Sequence, residues 1–210
     1  MAYRFLDIAL TPAVRTVQEQ MNADRIWSDF KGHRAFDRFS DNVAAYIAER
    51  DGFYIATVSE TGWPYVQYRG GPCGFLKVLD ERTLAFADYR GNRQYISTGN
   101  ASADGRACLL LMDYAQRARL KMYVRVEVLA LDDDPVLTQR ASVPGYKVKL
   151  ERIFRLHLQA YDWNCSQHIT ARFTEQQINE AVRPLHERLN ALESENAALR
   201  TRLTNRGETP

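Results

Sequence analysis

The chain has 210 residues, 45% of them hydrophobic and 26% charged, with a formal net charge of +2. That is enough to bury one sizeable core, and too near neutrality for nucleic acid or an anionic membrane surface to be read from charge. Cys73, Cys108 and Cys165 are widely spaced with no CxxC pair, so neither a disulfide framework nor a metal site is indicated. "MAYRFLDIAL", broken by Arg4 and Asp7, lacks the apolar run of a signal peptide, and the expectation is a soluble, cytoplasmic protein.

From Thr11 to about Arg50 the pattern is helical and broken by turns; in "FSDNVAAYIAERDG" Ser40 is an N-cap, Val43, Ala44 and Ile47 form an apolar stripe, and Gly52 is a stop. The period then becomes that of strands. "FYIATVS" and "TGWPYVQYR" join across Glu60-Thr61-Gly62, and "GFLKVL" and "TLAFADY" join across Asp80-Glu81-Arg82. After the more helical "RGNRQYISTGNASAD", the strands "RACLLLMD", "RLKMYVRVEVLAL" and "KVKLERIFRLHLQAY" resume the sheet. Six to seven short-connected strands predict an antiparallel barrel, closed or nearly so, because closure removes exposed edges.

Residues 173–205 differ in kind. Val182, Leu189, Asn196 and Leu203 at a, with Ile178, Leu185, Leu192 and Leu199 at d, make a heptad seam. An amphipathic helix packed on the chain's own barrel is the alternative, and Pro184 can start or kink the seam. The predicted organisation is an N-terminal helical segment (1–50) packed on the barrel, the barrel (51–172), a C-terminal helix or coiled coil (173–205) and a disordered tail (206–210).

Three stretches carry candidate chemistry. "YRGGPCGFLKVL" sets Arg69 beside Gly70, Gly71 and Gly74: a close backbone approach beside an anion, or a hairpin corner with a solvated arginine. "ADYRGNRQYIS" turns from strand to helix with Arg90 and Arg93 about Gly91 and Asn92, either a phosphate corner or a solvated turn. "AYDWNCSQHIT" gathers Trp163, Asn164 and Gln167, a ring and two amides suited to a planar heterocycle, or a Trp capping the barrel end. Cys73 and Cys165 read as packing thiols.

Taken in order with "RACLLLMDYAQRARLKMYVRVEVL", these stretches resemble the pyridoxamine 5′-phosphate oxidase-related, FMN-binding split-barrel family over roughly residues 40–172. The resemblance implies a mainly β, α+β split barrel and a homodimer with FMN at the subunit interface. It implies that the strand from Tyr68 to Leu76, with Arg69, Gly70, Gly71, Gly74 and Phe75, lies along the flavin ring. Arg90, Asn92, Arg93 and Gln94 match the phosphate turn, and Arg119, Trp163, Asn164 and Gln167 come from the second subunit. The family's C-terminal Arg-x-His element has no equivalent in place; Arg155-Leu156-His157 lies mid-strand and reads as a chance match.

The expected activity is an FMN-dependent oxidoreductase acting on a small substrate, with an electron donor such as NAD(P)H. The alternative is a non-catalytic flavin-binding sensor or interaction module dimerised through its coiled coil. A deazaflavin or haem in the same barrel stays open. His168 and Tyr68 are the available proton donors, and neither is assigned a catalytic role.

Overall fold

A computed structural model describes residues 4–28, 36–163 and 166–205. Its elements in chain order are α1 (Arg4–Ala9), α2 (Pro12–Gln20), α3 (Asp24–Ser28), α4 (Asp41–Ala48), β1 (Gly52–Val58), β2 (Pro64–Gly70), β3 (Lys77–Val78), β4 (Thr83–Tyr89), α5 (Ile96–Ala103), β5 (Arg106–Asp113), β6 (Ala118–Leu129), α6 (Pro135–Ala141), β7 (Leu150–Trp163) and α7 (Glu175–Asn205). The fold is α+β. The seven strands form one antiparallel sheet in the order β2-β1-β5-β6-β7-β4-β3.

That sheet curls into a split barrel. In a flat sheet β1 and β4 would stand about 19 Å apart at the usual strand spacing, yet the Phe53 and Phe86 rings meet edge to face at 5.3 Å. Phe53, Ile55, Leu84, Phe86, Leu109, Leu111, Leu120, Met122, Phe154 and Leu156 share one core inside the curl. Burying such side chains stabilises by about 1.5–3 kcal/mol each. Curvature comes from two irregularities on β7. Tyr123 pairs with Ala160 but Val124 with Leu158, and Asp88 pairs with Arg152 but Tyr89 with Leu150. Gln159 and Glu151 are thereby extra residues, and such bulges bend a strand and re-aim the side chain.

Helices cover parts of the barrel. α4 contributes Val43 and Ile47 to the core; Ser40 holds the N-cap backbone position without a side-chain cap bond, and the helix ends at Ala48, before Gly52, which opens β1. α1 sets Phe5 against Tyr123, with ring centroids 4.7 Å apart, while α2 buries none of its residues. α6, which the strand pattern did not announce, lays Leu137 and Ala141 on Ala85, Ala87 and Ile153, so β4 is buried on both faces.

Two further differences from the sequence reading have local causes. The strand expected over "GFLKVL" is only Lys77–Val78. Residues 71–76 instead follow the end of α4, with the Gly71 and Gly74 amides donating to the Asp51 and Arg50 carbonyls at 2.9 Å each. Arg155 and His157 point to the outer face, flanking core Leu156: Arg155 donates twice to Glu127 at 2.8 Å, and His157 Nε2 lies 3.2 Å from the same carboxylate. Arg155 first, and His157 after it, hold the Glu127 carboxyl down to about 2.

The chain divides into two units, Met1–Asp113 with Arg117–Ile169, and Tyr114–Gln116 with Thr170–Pro210. Within the second, Arg172 lies over the Tyr114 ring at 5.1 Å and α7 runs unbroken through Pro184. The tail expected at 206–210 lies outside the described residues. Among the described residues no helix is long and apolar enough to cross a membrane.

Candidate functional site

Alternation along β2 turns Tyr65, Gln67 and Arg69 inward and Val66 and Tyr68 outward. At the end of β4, Asp88 shares the inward face with Phe86 and is 5% exposed. Arg69 Nη1 donates to Asp88 Oδ1 at 2.5 Å, and Arg152 Nη1 lies 3.5 Å from the other carboxylate oxygen. Burial pushes the Asp88 carboxyl above its ordinary range, and the two guanidiniums pull it only partly back.

The bulge at Glu151 matters here. The re-aimed carboxylate accepts from Arg90 Nε at 2.9 Å, from the Tyr95 hydroxyl at 3.2 Å and from Arg152 Nη2 at 3.3 Å. Its acidity rises in consequence, with the Arg90 bond the chief cause. Arg152 also donates to Thr98 Oγ1 at 2.9 Å and stacks over the Tyr95 ring at 4.5 Å.

Between β4 and α5 the chain turns tightly. Asn92 Oδ1 accepts from the Gln94 amide at 3.1 Å, and its Nδ2 donates to Gln94 Oε1 at 3.2 Å, so these two side chains brace the turn itself. Arg93 and Tyr95 both adopt left-handed backbone, φ 64° and 55°, which for side chains of their size costs about 1 kcal/mol or more each. Turns of this kind aim backbone N–H groups outward, as does the start of a helix, and both suit an anion.

Together these parts form a cleft partly open to solvent, lined by Tyr65, Gln67, Arg69, Asp88, Arg93 and Tyr95 among others. Four guanidiniums, those of Arg69, Arg90, Arg93 and Arg152, stand in or directly behind its wall against two carboxylates, Asp88 and Glu151. The site therefore keeps a positive excess. Among the described residues, one buried polar atom at the cleft, Arg69 Nε, has no hydrogen-bond partner. A buried donor left unpaired costs about 1–3 kcal/mol, so this atom calls for an acceptor or a polar ligand. An anionic, hydrogen-bonding group such as a phosphate ester fits this donor set.

The other expected residues are placed differently. Tyr68 lies on the outer face of β2, edge-on to Tyr54 at 5.4 Å, opposite to the cleft by strand parity. Phe75 and Leu76 are core residues, 1% exposed each. The glycines before them serve the chain's own packing: a Cβ on Gly70 would meet Tyr68 at 2.8 Å, and one on Gly71 the Phe75 ring at 2.8 Å. Gly74 has φ +73°, and its Cβ would lie 2.9 Å from the Ala48 carbonyl oxygen. Arg119 and Trp163 sit together at the far end of β6 and β7, where Trp163 meets Tyr46 edge-on at 4.7 Å. Arg152 and Trp163 are separated by roughly 35 Å of extended β7, so one chain does not bring its two clusters together. Arg119 Nε is also buried without a partner among the described residues. Gln167 is exposed in the turn after β7, and Asn164 lies outside the described residues.

Tyr65, Gln67, Asp88, Glu151 and Arg152 were not singled out by the sequence reading. Asp88 carried a signal, an acid inside the apolar run "TLAFADY". Glu151 and Arg152 had none, because their position depends on a bulge seen only in the β4–β7 pairing.

Several solved structures are similar to part of this chain. A putative pyridoxamine 5′-phosphate oxidase from Lactobacillus delbrueckii is 18% identical, with a TM-score of 0.46 over 60% of this chain and 94% of that one. An FMN-binding protein from Syntrophomonas wolfei is 11% identical, with a TM-score of 0.43 over 73% and 95%. An FAD-binding protein from Mesorhizobium loti is 15% identical, with a TM-score of 0.40 over 60% and 94%. No curated protein matches the chain by sequence. The assignment rests instead on the family model of pyridoxamine 5′-phosphate oxidase, which matches residues 39–146. That span runs from Phe39, before α4, to Tyr146, beyond α6, and takes in Arg69, Asp88, Arg90 and Arg93 of the arginine-lined corner, with Glu151 and Arg152 beyond it. With just over half of its length matched, the chain belongs to the pyridoxamine 5′-phosphate oxidase family.

Proposed function

We propose that the arginine-lined cleft binds the phosphate of FMN and that the protein is an FMN-dependent oxidoreductase acting on a small substrate. The observation that carries this reading is the positive excess around a turn whose Arg93 guanidinium has no hydrogen-bond or ion-pair partner among the described residues, beside the unpaired Arg69 Nε. Arg93 and Arg69 would hold the phosphate, while Arg90 and Arg152, drawn in by Glu151, add charge behind them. Bound flavin supplies the redox chemistry; the chain binds it, orients it and sets the charge around it.

A second copy of the chain completes the site in this reading. Its Arg119, Trp163, Asn164 and Gln167 would meet the ring end of the cofactor, since the same residues in one chain stand a strand-length from the cleft. Tyr54, Val58, Val66 and Tyr68, all more than a third exposed on the outer face of β1 and β2, offer an apolar surface for that pairing.

Flavin titration tests the assignment. Arg93→Ala is expected to weaken FMN binding by about 1.5–3 kcal/mol, roughly ten- to hundredfold, and to leave riboflavin affinity unchanged. Equal loss of both ligands, or a wild-type protein that takes up no FMN, would overturn it. Anaerobic addition of NADH or NADPH to the holoprotein tests turnover: bleaching of the flavin band supports an oxidoreductase, and its persistence with both donors favours a sensor.

A further inference from the structure

The 31-residue helix α7 buries none of its residues. Its apolar side chains nevertheless fall on one seam: Ile178, Leu185, Leu189, Leu192, Leu199 and Leu203 are 38–69% exposed, and with Val182 and Asn196 they recur at alternating spacings of four and three. A stripe of that period presented to water is the surface a second helix covers in a coiled coil. Pro184 falls at the c position, away from the seam, and the helix continues through it.

We infer that a second copy of this chain covers the seam, forming a parallel, in-register two-stranded coiled coil over Ile178–Leu203. Two features select that occupant. In a parallel pair each g position faces the e position five residues on in the partner, so Arg188 meets Glu193 and Glu195 meets Arg200, and both contacts attract. Asn196 occupies an a position, where in-register pairing sets it against the other copy's Asn196 and each amide finds a partner. An antiparallel pair that aligns the same leucines would set Asn196 against Leu185, leaving the amide unpaired among apolar groups, which is costly. A single buried Asn of this kind fixes register and two-strandedness. The inference is independent of the flavin reading, since it uses only residues of α7.

Cysteine cross-linking in the full-length chain tests it, with wild type as the background for Cys73, Cys108 and Cys165. Under mild oxidation Asn196→Cys is expected to form an intermolecular disulfide with about tenfold higher yield than Ser194→Cys, which lies on the outer f position. Equal yields, or no linkage above wild type at either position, would overturn the pairing. In the Asn196→Cys background, Arg188→Glu should lower the yield by opposing Glu193, and adding Glu193→Arg should restore it. A yield indifferent to both changes would overturn the parallel register.

Discussion

Arg69 on β2 donates to Asp88 on β4 at 2.5 Å, although these strands are not hydrogen-bonded neighbours in the sheet. The ion pair joins the two sides of the split in the barrel and closes the inner end of the cleft. Arg69→Met would leave Asp88 buried with Arg152 alone, at 3.5 Å. Removing one partner of a buried pair costs about 3 kcal/mol or more. The pH dependence follows from the raised carboxyl of Asp88. A carboxyl raised by folding favours the folded state at low pH, and that advantage is lost as pH rises from the ordinary value through the folded one. Arg69 pulls this carboxyl down, so its removal widens the window. Urea denaturation should therefore show a smaller penalty at about pH 4 than at about pH 7; an equal penalty at both would exclude Asp88 as the source.

Glu151 opposes the positive excess at the corner. Glu151→Gln keeps an acceptor for Arg90 while deleting a charge, and at about 6 Å in a half-solvated cleft one charge changes anion binding by about 0.7–1.4 kcal/mol. FMN should bind roughly three- to tenfold more tightly to the variant, with riboflavin unaffected. Added salt should erase much of the gain. Fluorescence titration at low and high ionic strength checks both.

Two glycines should behave oppositely. Gly74 needs its left-handed backbone and has the Ala48 carbonyl where a Cβ would go, whereas a Cβ on Gly91 meets nothing within 4 Å. Gly74→Ala is expected to cost about 2 kcal/mol. Gly91→Ala should stay within about 0.5 kcal/mol in the absence of ligand. Thermal denaturation of the two variants distinguishes them.

Tyr46 lies under Arg50, and its hydroxyl donates towards the Ala118 and Leu111 carbonyls at 3.2 and 3.4 Å. Burial pushes the phenol up to about 12. Because the unfolded phenol ionises near 10, its contribution to stability is intact below that value and is lost as pH rises from there towards 12. Tyr46→Phe should cost about 1 kcal/mol at neutral pH and flatten the alkaline limb of the stability curve. An unchanged alkaline limb would assign that loss to other groups.

How far the sequence alone reaches can be seen element by element. β6 and β7 were legible because each alternates over eight residues or more, and burial imposes that period whatever the partner strand, while β5 was legible as the short apolar run "ACLLLM". The heptads of α7 were legible for the same reason, since a seam repeats within one helix. The Arg90–Gln94 corner was also readable, because Gly91, Asn92 and their arginines act over adjacent positions. Only tertiary structure decided that Tyr68 turns away from the cleft while Gln67 and Arg69 turn in, since parity becomes a direction only once β1 supplies the register. The same holds for Gly74, whose neighbour is a carbonyl 26 residues earlier in the chain. Asp88, Glu151 and Arg152 converge across β4 and β7, brought together by a bulge and by closure of the sheet. Periodicity is a property of one segment and is written in it; convergence depends on pairing between distant segments, which no single segment encodes.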